Sequence, residues 1–243
     1  TMGYGGGGLG ISGQANLTSC TISGNHGTQA GGLLIDGTAT LTSCTISGNV
    51  ADHLLANAGK GFGGAGGLKI DVGLTGNVGK ATLTSCTISG NEAIGHYGAG
   101  LMVAALDHYA RAEATLISCV ISGNKASLGG GLNLDGKATL SSCTIAGNSA
   151  TRGGGLLMGA HSSMILLSST VSHNDADWSG GGLHLEAGGV ALISGDSVFV
   201  SNRAPAGSSV ANQGNTAVYQ LPTPPGTYIP VDFPRAEQRA NLS

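Results

Sequence analysis

The stretch from Gly31 to Asn49, GGLLIDGTATLTSCTISGN, alternates apolar and polar residues with a period of two. Leu33 and Ile35 fall on one face. Leu41 stands between Thr40 and Thr42, and Cys44 and Ile46 share a face opposite Thr45 and Ser47. Such alternation, rich in β-branched residues and bounded by Gly, Asp and Asn, predicts strands joined by turns. No helical period competes with it in these segments. The pattern predicts three short strands in this one stretch.

The stretch recurs along the chain. LTSCTISGN occupies Leu17 to Asn25 and returns unchanged at Leu41 to Asn49 and Leu83 to Asn91. Blurred copies follow as LISCVISGN (Leu116 to Asn124), LSSCTIAGN (Leu140 to Asn148) and LLSSTVSHN (Leu166 to Asn174), and SVFVSN (Ser197 to Asn202) is the last. The middle position steps through Cys20, Cys44, Cys86, Cys119, Cys143, Ser169 and Ser197. A residue after a glycine pair or near-pair steps through Leu9, Leu33, Leu68, Leu101, Leu132, Leu156, Leu183 and Val210. The shortest step in both series is 24 residues, Cys20 to Cys44 and Leu9 to Leu33. That is the unit, and longer steps mark loops inserted at 50–65, 71–80 and 92–113.

A three-stranded unit of this size cannot bury its own apolar face, but stacked copies can. Each unit is therefore expected to be one coil of a parallel β-helix, with every strand paired to its copy one coil away, about 4.8 Å distant. Eight coils at that rise give a rod of roughly 40 Å. Leu33, Ile35, Leu41, Cys44 and Ile46 would point inward. Asn25, Asn49, Asn91, Asn124, Asn148, Asn174 and Asn202 would form a ladder at one turn, where Asn tolerates left-handed backbone and its amide can bond the copy above.

The pieces GGLLI, GGLKI, GGGLNL and GGGLHL, with ISGN in place of a Phe-x-x-Asn form, resemble right-handed parallel β-helix repeat proteins of the polymorphic outer-membrane or adhesin type. The resemblance covers roughly residues 5–212. It implies an all-β, single-stranded right-handed parallel β-helix of about eight coils, with a non-repetitive Pro-rich tail over 213–243. That architecture hosts lyases, hydrolases, adhesins and fibres, so it leaves function open.

Composition narrows the choices. The chain has 243 residues, 45 of them Gly, with 4% aromatic and 9% charged residues and a formal net charge of −3. Few aromatics suit a thin stacked core. No basic cluster supports nucleic-acid binding, and no run of about 18 apolar residues supports membrane insertion. The first residues, TMGYGGGGLG, read as the middle of a repeat rather than a signal peptide, so the chain is expected to be a segment of something longer or a processed product.

The cysteines occupy one register position. They read as small buried hydrophobes, as disulfides between neighbouring coils, or as metal ligands. Register neighbours point the same way, which suits stacking, and a straight file of thiols cannot wrap a tetrahedral ion. No cofactor is implied. The acids Asp36, Asp71, Asp135, Asp175, Asp177 and Glu186 are sparse and fall in turns. Arg152, Asp177 and His184 are the one group that later coils could bring together, and solvated turn residues account for it as well. The inserted loops carry His53, His96, Tyr97, Asp107, His108 and Tyr109, a candidate surface for a partner or a polysaccharide. Thr40/Thr42 and Thr82/Thr84 resemble an ice-binding β-solenoid face, though only two rungs are clean and Thr is simply a good strand former. Asn16 and Asn241 match N-glycosylation acceptors. Five of the six prolines lie in the tail, so the coils are expected to stop near Val210.

These features predict a non-catalytic extracellular or cell-surface structural or adhesive module, joined to other subunits or further domains through its coil ends, tail or loops. A carbohydrate-binding or carbohydrate-active β-helix is the alternative, and ice binding the second.

Overall fold

The computed structural model describes residues 7–52, 64–73, 78–105, 111–213 and 217–220. All regular structure among them is strand. The first coil holds β1 (Leu9–Ile11), β2 (Gln14–Thr18), β3 (Thr21–Ser23) and β4 (His26–Gly27). Later coils repeat these strands and stack in parallel, giving four sheets of eight, eight, seven and six strands in coil order.

Register follows the repeat residue by residue. In the first sheet Leu9, Leu33, Leu68, Leu101, Leu132, Leu156, Leu183 and Val210 are direct neighbours. In the second, Leu17, Leu41, Leu83, Leu116, Leu140, Leu166 and Ile193 are. In the third, Ile22, Ile46, Ile88, Ile121, Ile145, Val171 and Phe199 are. These files fill one continuous core, with Leu33, Ile35, Leu41 and Ile46 at 0% exposure. In-register stacking specifies itself, because a slip of one residue would turn every inward side chain outward.

The fourth sheet adds a strand per coil to the three expected. Its members, Val50–Asp52, Glu92–Tyr97, Lys125–Leu128, Ser149–Arg152 and Asp175–Ser179, turn mainly an alanine inward. Ala51, Ala93, Ala150 and Ala176 are all buried. Alanine is too small to mark an apolar side in the sequence, so the alternation there is faint. Two of these strands, Val50–Asp52 and Glu92–Tyr97, lie within segments read as insertions. Antiparallel bridges join Val72 to Val78 and Ala105 to Arg111 on either side of the undescribed residues of two of the insertions.

Single left-handed residues make the corners. Ser19, Ser43, Ser85, Ser118, Ser142 and Ser168 have φ of 46° to 54°. Gly24, Gly48, Gly90, Gly123 and Gly147 have φ of 60° to 64°, and His173 and Ser201 take the same corner at 54°. The asparagines that follow were expected to hold the left-handed backbone. Their neighbours hold it instead, which frees each Asn for hydrogen bonding.

Those asparagines form one file. Asn49 Oδ1 accepts from the backbone N–H of Asn25 and from its amide, both at 3.0 Å. The same pair of bonds links Asn49 to Asn91, Asn91 to Asn124, Asn124 to Asn148, Asn148 to Asn174 and Asn174 to Asn202. From Asn49 onward each amide also donates to a carbonyl of the coil below, as Asn124 Nδ2 does to Ile88 at 3.1 Å. The cysteines are free thiols, and Cys44, Cys86, Cys119 and Cys143 are buried. Each of these donates to a leucine carbonyl one coil below, at 3.4–3.5 Å.

The stack runs further than expected. Ala217–Gln220 pairs in register with Val190–Ile193, so the second sheet continues to Gln220. Strands can form there because the prolines of the tail begin only at Pro222.

Candidate functional site

The outer face of the first sheet gathers the buried chemistry of the molecule. Its strands read LLI, LKI, LMV, LNL, LLM and LHL, and all three residues of each are buried. The first and third face the core. The middle residues, Leu34, Lys69, Met102, Asn133, Leu157 and His184, form an outward file in register. Lys69 and His184 are 0% exposed, and Asn133 is 1% exposed. Ala65, Met102 and Ala104 make a satellite apolar cluster on this face.

Glycines build the wall that covers the later part of the file, over Asn133, Leu157 and His184. Gly129, Gly153 and Gly180 have φ of 62° to 67° and fold the chain back from the fourth sheet. A Cβ on Gly180 would stand 2.6 Å from His184 Cβ, one on Gly153 2.7 Å from Leu157 Cβ, and one on Gly129 2.9 Å from Asn133 Cβ. Only glycine permits both that backbone and that approach.

Acidic residues line the far rim, one step beyond the strands. Asn133 Nδ2 donates to Asp135 Oδ2 at 3.0 Å. Asp135 Oδ1 occupies the place where Gly159 would carry a Cβ, 2.2 Å away, so the glycine makes room for the carboxylate. Burial raises the pKa of Asp135 above its ordinary value, the Asn133 hydrogen bond opposes this, and the nearby charge of Glu186 adds to it. Lys69 Nζ lies 2.7 Å from Asp71 Oδ2.

At the late end, Arg152 Nη1 reaches from the fourth sheet to Glu186 Oε1 at 3.4 Å. Ser179 Oγ is 3.0 Å from His184 Nδ1. Burial, with a smaller push from Arg152, lowers the His184 pKa to about 4, so the imidazole is neutral at neutral pH. His184 Nε2 and Asn133 Oδ1 are buried without a hydrogen-bond partner. The face therefore holds a neutral imidazole and an unfilled acceptor on its strands, with a carboxyl group of raised pKa one residue beyond them.

The expected group of Arg152, Asp177 and His184 is brought together only in part. Arg152 pairs with Glu186, and its charge acts on His184 without a direct bond between the two. Asp177 is exposed in a bulge, where Ala150 pairs with Ala176 but Arg152 pairs with Ser179. Of the loop candidates, His53, Asp107, His108 and Tyr109 lie outside the described residues. His96 belongs to the strand Glu92–Tyr97. Tyr97 is 41% exposed and shares a register column with Leu128 and, through it, Arg152 and Ser179. That column is the near lip of the covered file. Asn16 is exposed on β2, and Asn241 lies outside the described residues.

Lys69, Asn133 and His184 escape a reading by alternation, which assigns every second residue of LKI, LNL and LHL to solvent. The signal that marks Asn133 and His184 is the glycine two residues before Gly-Leu, Gly129 and Gly180, which lets a wall close over the strand; the coil of Lys69 carries Ala65 at that position. The threonine face is also sharper in register than in sequence: Asn16, Thr40, Thr82, Thr115, Thr139, Ile165 and Leu192 form one outward file. Four threonines are consecutive, and the file then turns apolar. Among the described residues no three His, Cys, Asp or Glu side chains gather as metal ligands.

A family model described as a right handed beta helix region matches residues 7–220. No curated protein and no solved structure matches the chain.

Proposed function

The chain belongs to the right-handed β-helix family, and from that premise we propose that it is a non-catalytic structural or adhesive rod of an extracellular or cell-surface protein. It is joined to other subunits or to further domains. The observation that carries this reading is the unbroken Asn file from Asn25 to Asn202, in which every link is made twice. A cross-coil hydrogen-bond file of this length favours a stiff element whose ends and sides present surfaces. The outward positions of the second and third sheets are mostly Thr and Ser through the middle coils, as along Thr40, Thr42, Thr45 and Ser47. Electron microscopy with light scattering over a concentration series tests the reading. End-to-end oligomers or filaments support a building unit. Monomeric rods at every concentration would sink self-assembly of this segment.

A second reading is a carbohydrate-binding or carbohydrate-cleaving β-helix, and the His184, Asp135, Glu186 and Arg152 group favours it. Asp135, whose carboxyl has a raised pKa, and His184, a neutral imidazole, stand two coils apart along one edge of the same sheet, and each is a group able to carry a proton. A panel of polysaccharides, assayed for binding and for new chain ends, tests this. If Asp135→Asn and Glu186→Gln change neither binding nor cleavage, the group is structural. The threonine file that suggests ice binding is interrupted by Ile165 and Leu192, so it is the weakest of the three readings.

A further inference from the structure

The outer faces of the second and third sheets change character abruptly at the sixth and seventh coils. Ile165 stands where the preceding coil carries Thr139, and Leu167 where it carries Ser141. One coil on, Val190 stands above Ser163, and Leu192 above Ile165. On the third sheet Val198 and Val200 stand above Thr170 and Ser172. Ile165, Val190, Val198 and Val200 are 37%, 40%, 41% and 44% exposed. The result is one apolar patch across two adjacent sheets and two successive coils, on a rod whose matching positions elsewhere are mostly hydroxyl or charged residues, with Ile117 and Val120 of the fourth coil as isolated apolar exceptions. A patch of this kind marks a contact surface.

We propose that this patch is the seat of the chain's own residues 221–233, LPTPPGTYIPVDF. Three observations select that occupant. The first is position. Ala217–Gln220 runs beside Val190–Ile193, with Tyr219 opposite Leu192, so the chain leaves the described coils next to the patch and in the direction of Val198–Val200. The second is chemistry. Pro222, Pro224 and Pro225 have no N–H and cannot extend the third sheet beyond Val198–Val200 as another paired strand. Leu221, Tyr228, Ile229, Val231 and Phe233 supply apolar side chains to lay across its face. The third is reach and concentration. Thirteen residues in polyproline geometry extend about 40 Å, enough to cross both sheets. A tethered segment presents itself at an effective concentration on the order of millimolar, against which a second copy in dilute solution competes poorly.

The test uses the full chain and a variant that restores the hydroxyl pattern, Ile165→Thr, Leu192→Thr, Val198→Thr and Val200→Ser. Thr and Ser already occupy these register positions in preceding coils, so the coil accepts them. Chymotryptic cleavage of the Tyr228–Ile229 bond is followed by mass spectrometry, with molecular mass from light scattering. The proposal expects slow cleavage in the full chain and cleavage at least tenfold faster in the variant, the change that about 1.4 kcal/mol of lost contact produces. A second variant, with Leu221, Val231 and Phe233 replaced by Ser, leaves the coils untouched and should show the same rise. Equal cleavage in the full chain and both variants overturns the proposal, whether that rate is fast or slow. A dimer that the first variant loses, with the bond cut equally fast in both proteins, assigns the face to a second copy and also overturns it.

Discussion

Replacing Asn124 by Ala removes the middle rung of the asparagine file. Asn124 Oδ1 accepts from Asn91 N–H at 2.9 Å and from Asn91 Nδ2 at 3.0 Å. Its own amide donates to Ile88 O at 3.1 Å and to Asn148 Oδ1 at 2.9 Å. Asn91 still reaches Ile46 O with its other amide hydrogen, and Asn148 Oδ1 still accepts from the Asn124 backbone. The substitution therefore strands one backbone N–H, one amide hydrogen and one carbonyl, beside residues only 0–1% exposed. Each stranded buried group costs about 1–3 kcal/mol. Partial relaxation around the lost side chain puts the expected total near 4 kcal/mol, a large share of a domain's usual 5–15 kcal/mol. Asn202→Ala is the control. Asn202 is half-buried at the late end of the file, water can replace its bonds, and the expected loss is about 1 kcal/mol. Urea unfolding measures both, and hydrogen exchange at the Asn91 amide reports the local opening, since repeat proteins need not unfold as one unit. A loss for Asn124→Ala of 1 kcal/mol or less, or equal to that of Asn202→Ala, would refute the idea that the closed file holds the coils together.

Other substitutions probe other parts of the coil. Cys86→Ser should be tolerated within about 1 kcal/mol in thermal unfolding, because Ser169 already fills that register, accepting from Cys143 N–H at 3.0 Å and donating to Leu167 O at 2.7 Å. Cys86→Val, of similar size but with no acceptor for the Cys44 N–H, should cost about 2 kcal/mol more than Cys86→Ser. Gly155→Ala should abolish or severely weaken folding in a solubility and circular dichroism assay, since its Cβ would stand 2.6 Å from Gly182 O. Gly48→Ala, left-handed but with open space around it, should cost only about 1–2 kcal/mol. His184 should make stability fall on acidification. Its pKa is about 4 when folded against 6.5 as the ordinary value, so between those pH values the unfolded chain binds the extra proton. That contribution is fully present above pH 6.5 and is lost as pH falls to about 4. It amounts to about 3 kcal/mol, and in His184→Asn the slope over that window should flatten in urea titrations.

The sequence by itself determined the coil. The 24-residue step, the inward positions Leu33, Ile35, Leu41, Cys44 and Ile46, and the asparagine file are legible because each residue bonds its own copy. A structure that stacks like on like writes its contacts as repetition. The tertiary structure decided what does not repeat. The fourth strand turns only alanine inward, too small a signal for alternation to register. The left-handed backbone sits on the Ser and Gly beside the asparagines and cysteines, because a corner is a property of φ rather than of side-chain type. The candidate site is the clearest case. Lys69, Asn133 and His184 look solvent-facing in LKI, LNL and LHL, yet all three are buried, Asn133 and His184 by a glycine wall. Arg152 and Glu186 are 34 residues apart and meet only because the coil rise brings one lip of that face to the other. Contacts between unlike residues leave no periodic trace, so only the geometry of the stack reveals them.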